Sequence, residues 1–273
     1  MKLYRTNEGI IVEKQGRFHA INDLDWDGLM RSHDPAALID AAIDRPVSTI
    51  DGLQILAPVV SQEVWAAGVT YFRSRDARIE ESQGNGAHLF YDHAYRSERP
   101  ELFFKATGRR VVGSNSGVRI RSDAKWSVPE PELTLAINPS GSIIGYTIGN
   151  DMSARDIEGE NPLYLPQAKI YDGSCALGPC VLLRSEPLPN DIKIAMTISR
   201  GEECVFVEST TLAELKRAPT ELVEFLFRDN SFPNGVFLMT GTGIIPGEGF
   251  TLQCGDIISI EIDQIGILKN HVK

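Results

Sequence analysis

The sequence predicts an α+β fold that is mostly β, and three observations carry that expectation. From Phe103 onward, short apolar runs are separated by clusters of Gly, Pro, Asn and Ser, the texture of strands and turns, not of alternating βαβ units. Helix signals are few. Finally, Asn138-Pro139-Ser140-Gly141 stands between two long strand-like runs, as the turn of a β-hairpin would.

Taken in order, residues 2–6, 10–12 and 17–21 are short apolar stretches divided by turns. A helix is expected from Asp34, with Asp34 as N-cap, Pro35 at the first helical position, and Leu38, Ile39 and Ala42 on one face, ending before Pro46. The texture changes near residue 60, which divides the chain into a small N-terminal domain, 1–60, and a larger domain, 61–273. Residues 65–69 begin a Gly-containing strand. Thr211 and Glu214 have capping-box spacing, and an apolar helical stretch covers 222–227 after Pro219. Residues 256–262 alternate as a half-buried strand should. Gly84-Asn85-Gly86 reads as a mobile loop.

Composition narrows the function. Across 273 residues, 42% are hydrophobic and 23% charged, an ordinary globular balance. With 27 Lys and Arg against 37 Asp and Glu, the net charge of -10 opposes nucleic-acid and anionic-membrane binding, which need basic patches. No run approaches the roughly 18 apolar residues of a membrane span, so a cytoplasmic protein with a small-molecule partner is expected. Cys175, Cys180, Cys204 and Cys254 contain no CxxC pair and no His at zinc spacing. They read as reduced, mostly buried thiols.

The most informative stretch is Pro129-Glu130-Pro131-Glu132 and the run that returns to Asp151. If Asn138 pairs with Gly141, Glu132 lies opposite Thr147, Glu130 opposite Gly149, and Asp151 is the diagonal neighbour of Glu130. Side chains two apart on a strand share a face, so the three carboxylates converge to within about 7–8 Å before side-chain reach. Such charges repel, and protonation, a cationic side chain or a metal must neutralise them unless they form an exposed acidic strand end. An all-oxygen set suits Mg²⁺, Mn²⁺ or Ca²⁺ better than Zn²⁺, and three protein ligands leave positions for substrate.

Motifs around this hairpin extend the reading. Glu130-Pro131-Glu132 is followed by Gly145-Tyr146-Thr147 and Asn150-Asp151-Met152-Ser153-Ala154-Arg155-Asp156. Downstream come Lys169-Ile170-Tyr171-Asp172, Gly178-Pro179, Thr240-Gly241-Thr242, Gly255-Asp256 and Asn270-His271-Val272. Over residues 65–273 this order resembles the fumarylacetoacetate hydrolase family, with its E-x-E, N-D-x-S-x-R-D, K-x-x-D, G-P, T-G-T, G-D and N-x-V motifs. The resemblance implies a mixed, rolled β-sheet domain, a homodimer or a homotetramer formed from dimers, and Mg²⁺ on Glu130, Glu132 and Asp151, with Mn²⁺ or Ca²⁺ as alternatives.

One departure bears on the reaction. Hydrolytic members that cleave carbon–carbon bonds carry N-Y-x-x-H, whose His helps activate water; here the stretch is Thr70-Tyr71-Phe72-Arg73-Ser74, and none of the five histidines sits in such a motif. Loss of that base removes a factor of about 10²–10⁴ from water attack. Residues 70–82 instead resemble the branch containing 2-keto-3-deoxy-D-arabinonate dehydratase. That branch implies Glu101, in Glu101-Leu102-Phe103-Phe104-Lys105, and Lys169 as the proton-transfer pair for dehydrating a 2-keto acid. An ion pair with Asp172 or Glu130 is the structural alternative for Lys169, and a solvated loop carboxylate is that for Glu101.

Ser74, Arg75, Asp172, Thr240 and Thr242 are the expected substrate contacts, while Arg73, Arg75 and Arg78 could equally form a solvated basic helix paired with Glu80 and Glu81. The competing functions are an acylpyruvate-type hydrolase, a 2-oxo acid decarboxylase and a non-catalytic metal-binding scaffold.

Overall fold

The computed structural model describes residues 1–71, 73 and 97–273. Ser74, Arg75, Arg78, Glu80, Glu81 and the expected loop at Gly84-Asn85-Gly86 lie outside the described residues. In chain order the first strands are β1 (Lys2–Thr6), β2 (Gly9–Lys14), β3 (Arg17–Ile21), β4 (Ile43–Val47), β5 (Glu63–Gly68), β6 (Glu101–Thr107), β7 (Val111–Val112) and β8 (Ser116–Val118). Then follow β9 (Ser127–Ile137), β10 (Ile143–Ala154), β11 (Cys175–Leu183), β12 (Lys193–Arg200), β13 (Glu203–Thr211), β14 (Val236–Met239), β15 (Ile257–Ile262) and β16 (Gly266–Val272).

Among the described residues these strands form two sheets. The larger has 11 strands in the order β4-β3-β2-β1-β11-β10-β9-β14-β5-β6, with β7 also on β11; the smaller has the order β13-β12-β15-β16-β8. Pairing is mixed: β14 runs parallel to β5 and antiparallel to β9. Residues 1–60 supply β1 to β4, and β1 pairs with β11 through Lys2↔Leu182 and Leu3↔Val181. The texture change near residue 60 therefore falls within one hydrogen-bonded sheet.

Alternation along β9 shows how the layers stack. Leu133, Leu135 and Ile137 enter a core shared with Ile194, Met196, Ile258 and Ile260 of the smaller sheet. Ala136 faces a second core, which includes Trp26, Leu29 and Met30 of helix α1 (Trp26–Arg31) and Ile39 of α2 (Pro35–Ala42). Glu130 and Glu132 share the parity of Ala136.

The large sheet is strongly rolled. In strand order β6 is four places from β10, about 19 Å on a flat sheet at about 4.8 Å per strand. Yet Lys105 Nζ on β6 donates to Met152 O on β10 at 3.1 Å. Lysine spans far less than 19 Å, so the sheet must curl until its β6 edge meets the end of β10.

Several local expectations change. Asp34 caps α2, accepting from Ala37 N, and Ile39 is buried, but Leu38 is 40% exposed. Helix α1 has its own cap in Asp25, whose carboxylate accepts from Gly28 N. The Thr211–Glu214 box does not form: Thr211 ends β13 without a capping hydrogen bond, and only a 3₁₀ turn, Leu212–Glu214, follows. Of the four cysteines, Cys175 and Cys180 are buried, whereas Cys204 and Cys254 are exposed.

Candidate metal and catalytic site

The hairpin register differs from that expected by two residues. Asn138 N bonds to Ser142 O, so the turn is one residue longer, and an irregularity between Ile143 and Gly145 adds another. Asp151 consequently lies directly opposite Glu130 instead of diagonal to it, and Glu132 lies opposite Gly149. Pro129 and Pro131 are tolerated in β9 because β14 pairs with it only from Thr134 to Ile137. Among the described residues that edge has no strand partner beyond Thr134, so the missing N–H groups cost no ladder bond there.

Here Glu130, Glu132 and Asp151 are all buried, each offering an oxygen within 4.8 Å of the others. The cavity they line is walled by Ala67, Gly68, Val69, Phe103, Arg155, Lys169, Gly241 and Thr242. A two-residue spacing places Glu101 and Phe103 on one face of β6, and Lys105 falls at a register irregularity, with Phe104 opposite Trp65 and Ala106 opposite Val64. Glu101 pairs with Gly68, and a Cβ at position 68 would collide with its carboxylate, so only glycine leaves Glu101 its place beside the cavity.

Among the described residues, three cations answer the carboxylates. Lys169 ends helix α4 (Leu165–Lys169), and its Nζ donates to Glu130 Oε2 at 2.6 Å and Asp151 Oδ2 at 3.1 Å. Arg155 opens helix α3 (Arg155–Glu160) and donates from Nη2 to Glu130 Oε1 at 2.5 Å. Lys105 Nζ stands 2.5 Å from Asp151 Oδ1. Glu132 forms no ion pair among the described residues; it accepts from the N–H of Gly241 at 2.5 Å. Burial, then Asp151 and Glu130, drive its carboxyl well above the usual range, against the weaker pull of Lys169 and that N–H.

The donor set fits a hard divalent cation. All three ligands are carboxylates, as Mg²⁺ prefers, and Asp151 Oδ1 is buried without an aligned hydrogen bond although Lys105 is close. Glu132 is a buried carboxyl in want of positive charge. Neutralisation by cationic side chains, one of the sequence alternatives, is thus partly realised, at Glu130 and Asp151 but not at Glu132. An exposed acidic strand end is ruled out by burial.

The remaining expected residues are distributed unevenly. Thr242 lines the cavity, its hydroxyl engaged with Ile244 N and O at 3.1 Å. Thr240 is buried behind it and donates to Leu133 O at 2.9 Å. Asp172 is 73% exposed on its side chain and sits 3.5 Å from Arg110, away from the cavity wall. Arg73 is exposed and paired with Glu208 at 2.9 Å. Ser74 and Arg75 lie outside the described residues. Sequence reasoning missed Lys105 and Arg155, although each stood inside a motif already singled out; the alternation Glu101, Phe103, Lys105 was the available signal.

A family profile described as "Fumarylacetoacetate (FAA) hydrolase C-terminal" matches residues 81–273. The chain belongs to the fumarylacetoacetate hydrolase family. Among relatives of this fumarylacetoacetate hydrolase-family protein, a "Probable 2-keto-3-deoxyxylonate dehydratase" of Haloferax volcanii is 43% identical over 88% of this chain and 80% of its own. The "2-dehydro-3-deoxy-D-arabinonate dehydratase" of Saccharolobus solfataricus is 41% identical over 82% and 76% respectively. A solved "2-keto-3-deoxy-D-arabinonate dehydratase complexed with magnesium and 2,5-dioxopentanoate" is 34% identical, covers 100% of this chain and 99% of that one, and superposes with a TM-score of 0.86.

Proposed function

We propose that this protein is a Mg²⁺-dependent dehydratase of a 2-keto-3-deoxy sugar acid, such as 2-keto-3-deoxy-D-arabinonate, giving 2,5-dioxopentanoate. The observation that carries the reading is the buried carboxylate trio, one member without an ion pair among the described residues, in a cavity shared with Lys169 and with Glu101 against Gly68 of its wall. Glu130, Glu132 and Asp151 would hold the ion, which when bound supplies the Lewis acidity that makes the C3–H of a 2-keto acid easier to remove.

The residues then divide the proton work. Lys169 and Glu101, one amine and one carboxyl, share removal of the C3 proton and protonation of the departing C4 hydroxyl. Loss of that hydroxyl as water leaves a 3,4-double bond with the C5 hydroxyl intact, and tautomerisation gives the C5 aldehyde. Phe103 and the backbone of Ala67 to Val69 close one wall against water. Thr242, Ser74 and Arg75 are assigned to substrate, and Thr240 acts by holding Leu133 and the following Gly241 in place. Asp172 has no assigned contact, given its exposure.

Hydrolysis is less well supported, because His19, His33 and His271, the described histidines, are absent from the cavity wall. No described helix is long and apolar enough to cross a membrane, and with the net charge of -10 this supports a cytoplasmic placement. A homodimer or homotetramer completes the reading. The test is product analysis: with Mg²⁺ and a 2-keto-3-deoxypentonate, mass spectrometry should find substrate minus one water. Pyruvate plus a two-carbon aldehyde, or loss of CO₂, overturns the assignment.

A further inference from the structure

Lys105 is an unusual residue to find with 0% exposure. Its ammonium donates to two carbonyls, Met152 O at 3.1 Å and Lys169 O at 2.5 Å, and stands 2.5 Å from Asp151 Oδ1 in an ion-pair contact. With Lys105 itself, these contacts join three pieces of the site. Asp151 and Met152 are consecutive on β10, Lys169 O is a terminal carbonyl of α4, and Lys105 itself is on β6 with Glu101 and Phe103.

The contact with Lys169 O has a definite cause. The last carbonyls of a helix have no partner within the helix. At Lys169 that carbonyl is buried and receives Lys105 Nζ and Ser174 Oγ, the latter at 2.9 Å. Fixing the carbonyl fixes the Cα from which the Lys169 side chain departs. Its Nζ then reaches Glu130 and Asp151 from a defined origin.

Lys105 also changes the charge of the site. It stands against one oxygen of Asp151 while Lys169 stands against the other. A fixed cation beside a ligand opposes the arrival of a second cation, and in a buried cluster little solvent screens that opposition.

We propose that Lys105 is a positioning residue that clamps the backbone of Lys169 onto the strand bearing Asp151, and a fixed counter-charge that holds the divalent-cation affinity of the carboxylate trio below its maximum. The proposal rests on the reading of Glu130, Glu132 and Asp151 as metal ligands. It makes an opposed pair of effects: removing Lys105 tightens metal binding yet slows turnover. A side chain that merely supported the fold would weaken both.

The test compares wild type, Lys105→Met and Lys105→Gln by Mn²⁺ titration with electron paramagnetic resonance, by thermal unfolding with and without Mg²⁺, and by steady-state dehydration. Both variants should bind Mn²⁺ about tenfold or more tightly than wild type and gain more melting temperature from Mg²⁺, as linkage requires. Their kcat should fall about tenfold or more with KM within about threefold, the signature of a lost reacting geometry. Lys105→Gln keeps an N–H donor and should lose less kcat than Lys105→Met.

If either variant unfolds without metal, saturating Mg²⁺ should restore a cooperative transition, since it takes over the charge of Asp151. Absence of that recovery overturns the proposal. So does Mn²⁺ affinity equal to or weaker than wild type in a folded variant, or an unchanged kcat. A wild-type protein that binds no Mn²⁺ overturns the metal reading and this proposal together, and is distinguishable because it arises in the unaltered chain.

Discussion

Replacing Lys169 with Met removes a buried ammonium while keeping most of the side-chain volume, and the structure sets the size of two effects. The first is on stability. Nζ contacts Glu130 Oε2 at 2.6 Å and Asp151 Oδ2 at 3.1 Å, and removing one partner from a buried ion cluster costs about 3–5 kcal/mol. Arg155 remains 2.5 Å from Glu130 and Lys105 2.5 Å from Asp151, which places the cost near the lower end, about 3 kcal/mol. At about 2.1 cal/mol/K per residue, 273 residues give an unfolding entropy of about 0.57 kcal/mol/K, so the melting temperature should fall by about 5 °C. The second effect is on turnover, where loss of an acid or base group lowers kcat by about 10²-fold or more. Differential scanning calorimetry with and without Mg²⁺, beside steady-state kinetics, reads both. A kcat within about threefold of wild type would show that Lys169 is not in the proton-transfer pair. A melting temperature that does not fall would refute the charge accounting.

Glu132→Gln should retain the fold, because the amide has the shape of a protonated carboxyl and Glu132 is already pushed toward that form by burial, Asp151 and Glu130. It should lose Mg²⁺ affinity by more than the roughly tenfold to hundredfold typical of outer-shell changes, measurable by calorimetric titration. EDTA should abolish activity and Mg²⁺ or Mn²⁺ restore it; full activity after exhaustive chelation would remove the metal from the mechanism. Burial opposes ionisation of Asp256, but the bidentate Arg200 pair at 2.8 and 2.9 Å and the Gln253 N–H outweigh it and hold the carboxyl below its usual range. A depressed folded-state value gives stability that is present above the unfolded value of about 3.9 and lost as pH falls through the folded one. Urea melts of Asp256→Asn should therefore flatten the acid limb below about pH 4, and an unaltered limb would count against it. Burial pushes the Cys175 and Cys180 thiols up to about 12, so at pH 8 a thiol reagent should label only Cys204 and Cys254 until the chain is unfolded.

What the sequence disclosed follows the range of the interactions involved. Strands at residues 2–6 and 17–21, the Asp34 cap and the alternation expected at 256–262 depend on neighbours within a few positions, and the structure has them there, the last as Ile257–Ile262. The carboxylate trio was legible for the same reason, since E-x-E and a return strand form one local hairpin. Its register was not, because the longer turn at Asn138 and the irregularity near Ile144 each add a residue without any distinctive residue type. Such an offset normally turns a strand inside out, but two single-residue offsets restore the face, and Asp151 still joins the glutamates.

Lys105 marks the boundary of what local pattern could give. Its spacing groups it with Glu101 and Phe103, and nothing local indicates what it meets. Met152 and Lys169 are 47 and 64 residues away in the chain, and four strand positions separate β6 from β10. Only the roll of the whole sheet closes that distance, and roll accumulates from the twist of every strand pair between them. A buried lysine without that closure would be a charge with no partner, which no folded state tolerates cheaply. The partners at Asp151, Met152 and Lys169 are therefore as much a condition on the sheet's curvature as a feature of the site, and the chemistry and the fold constrain each other at this one ammonium.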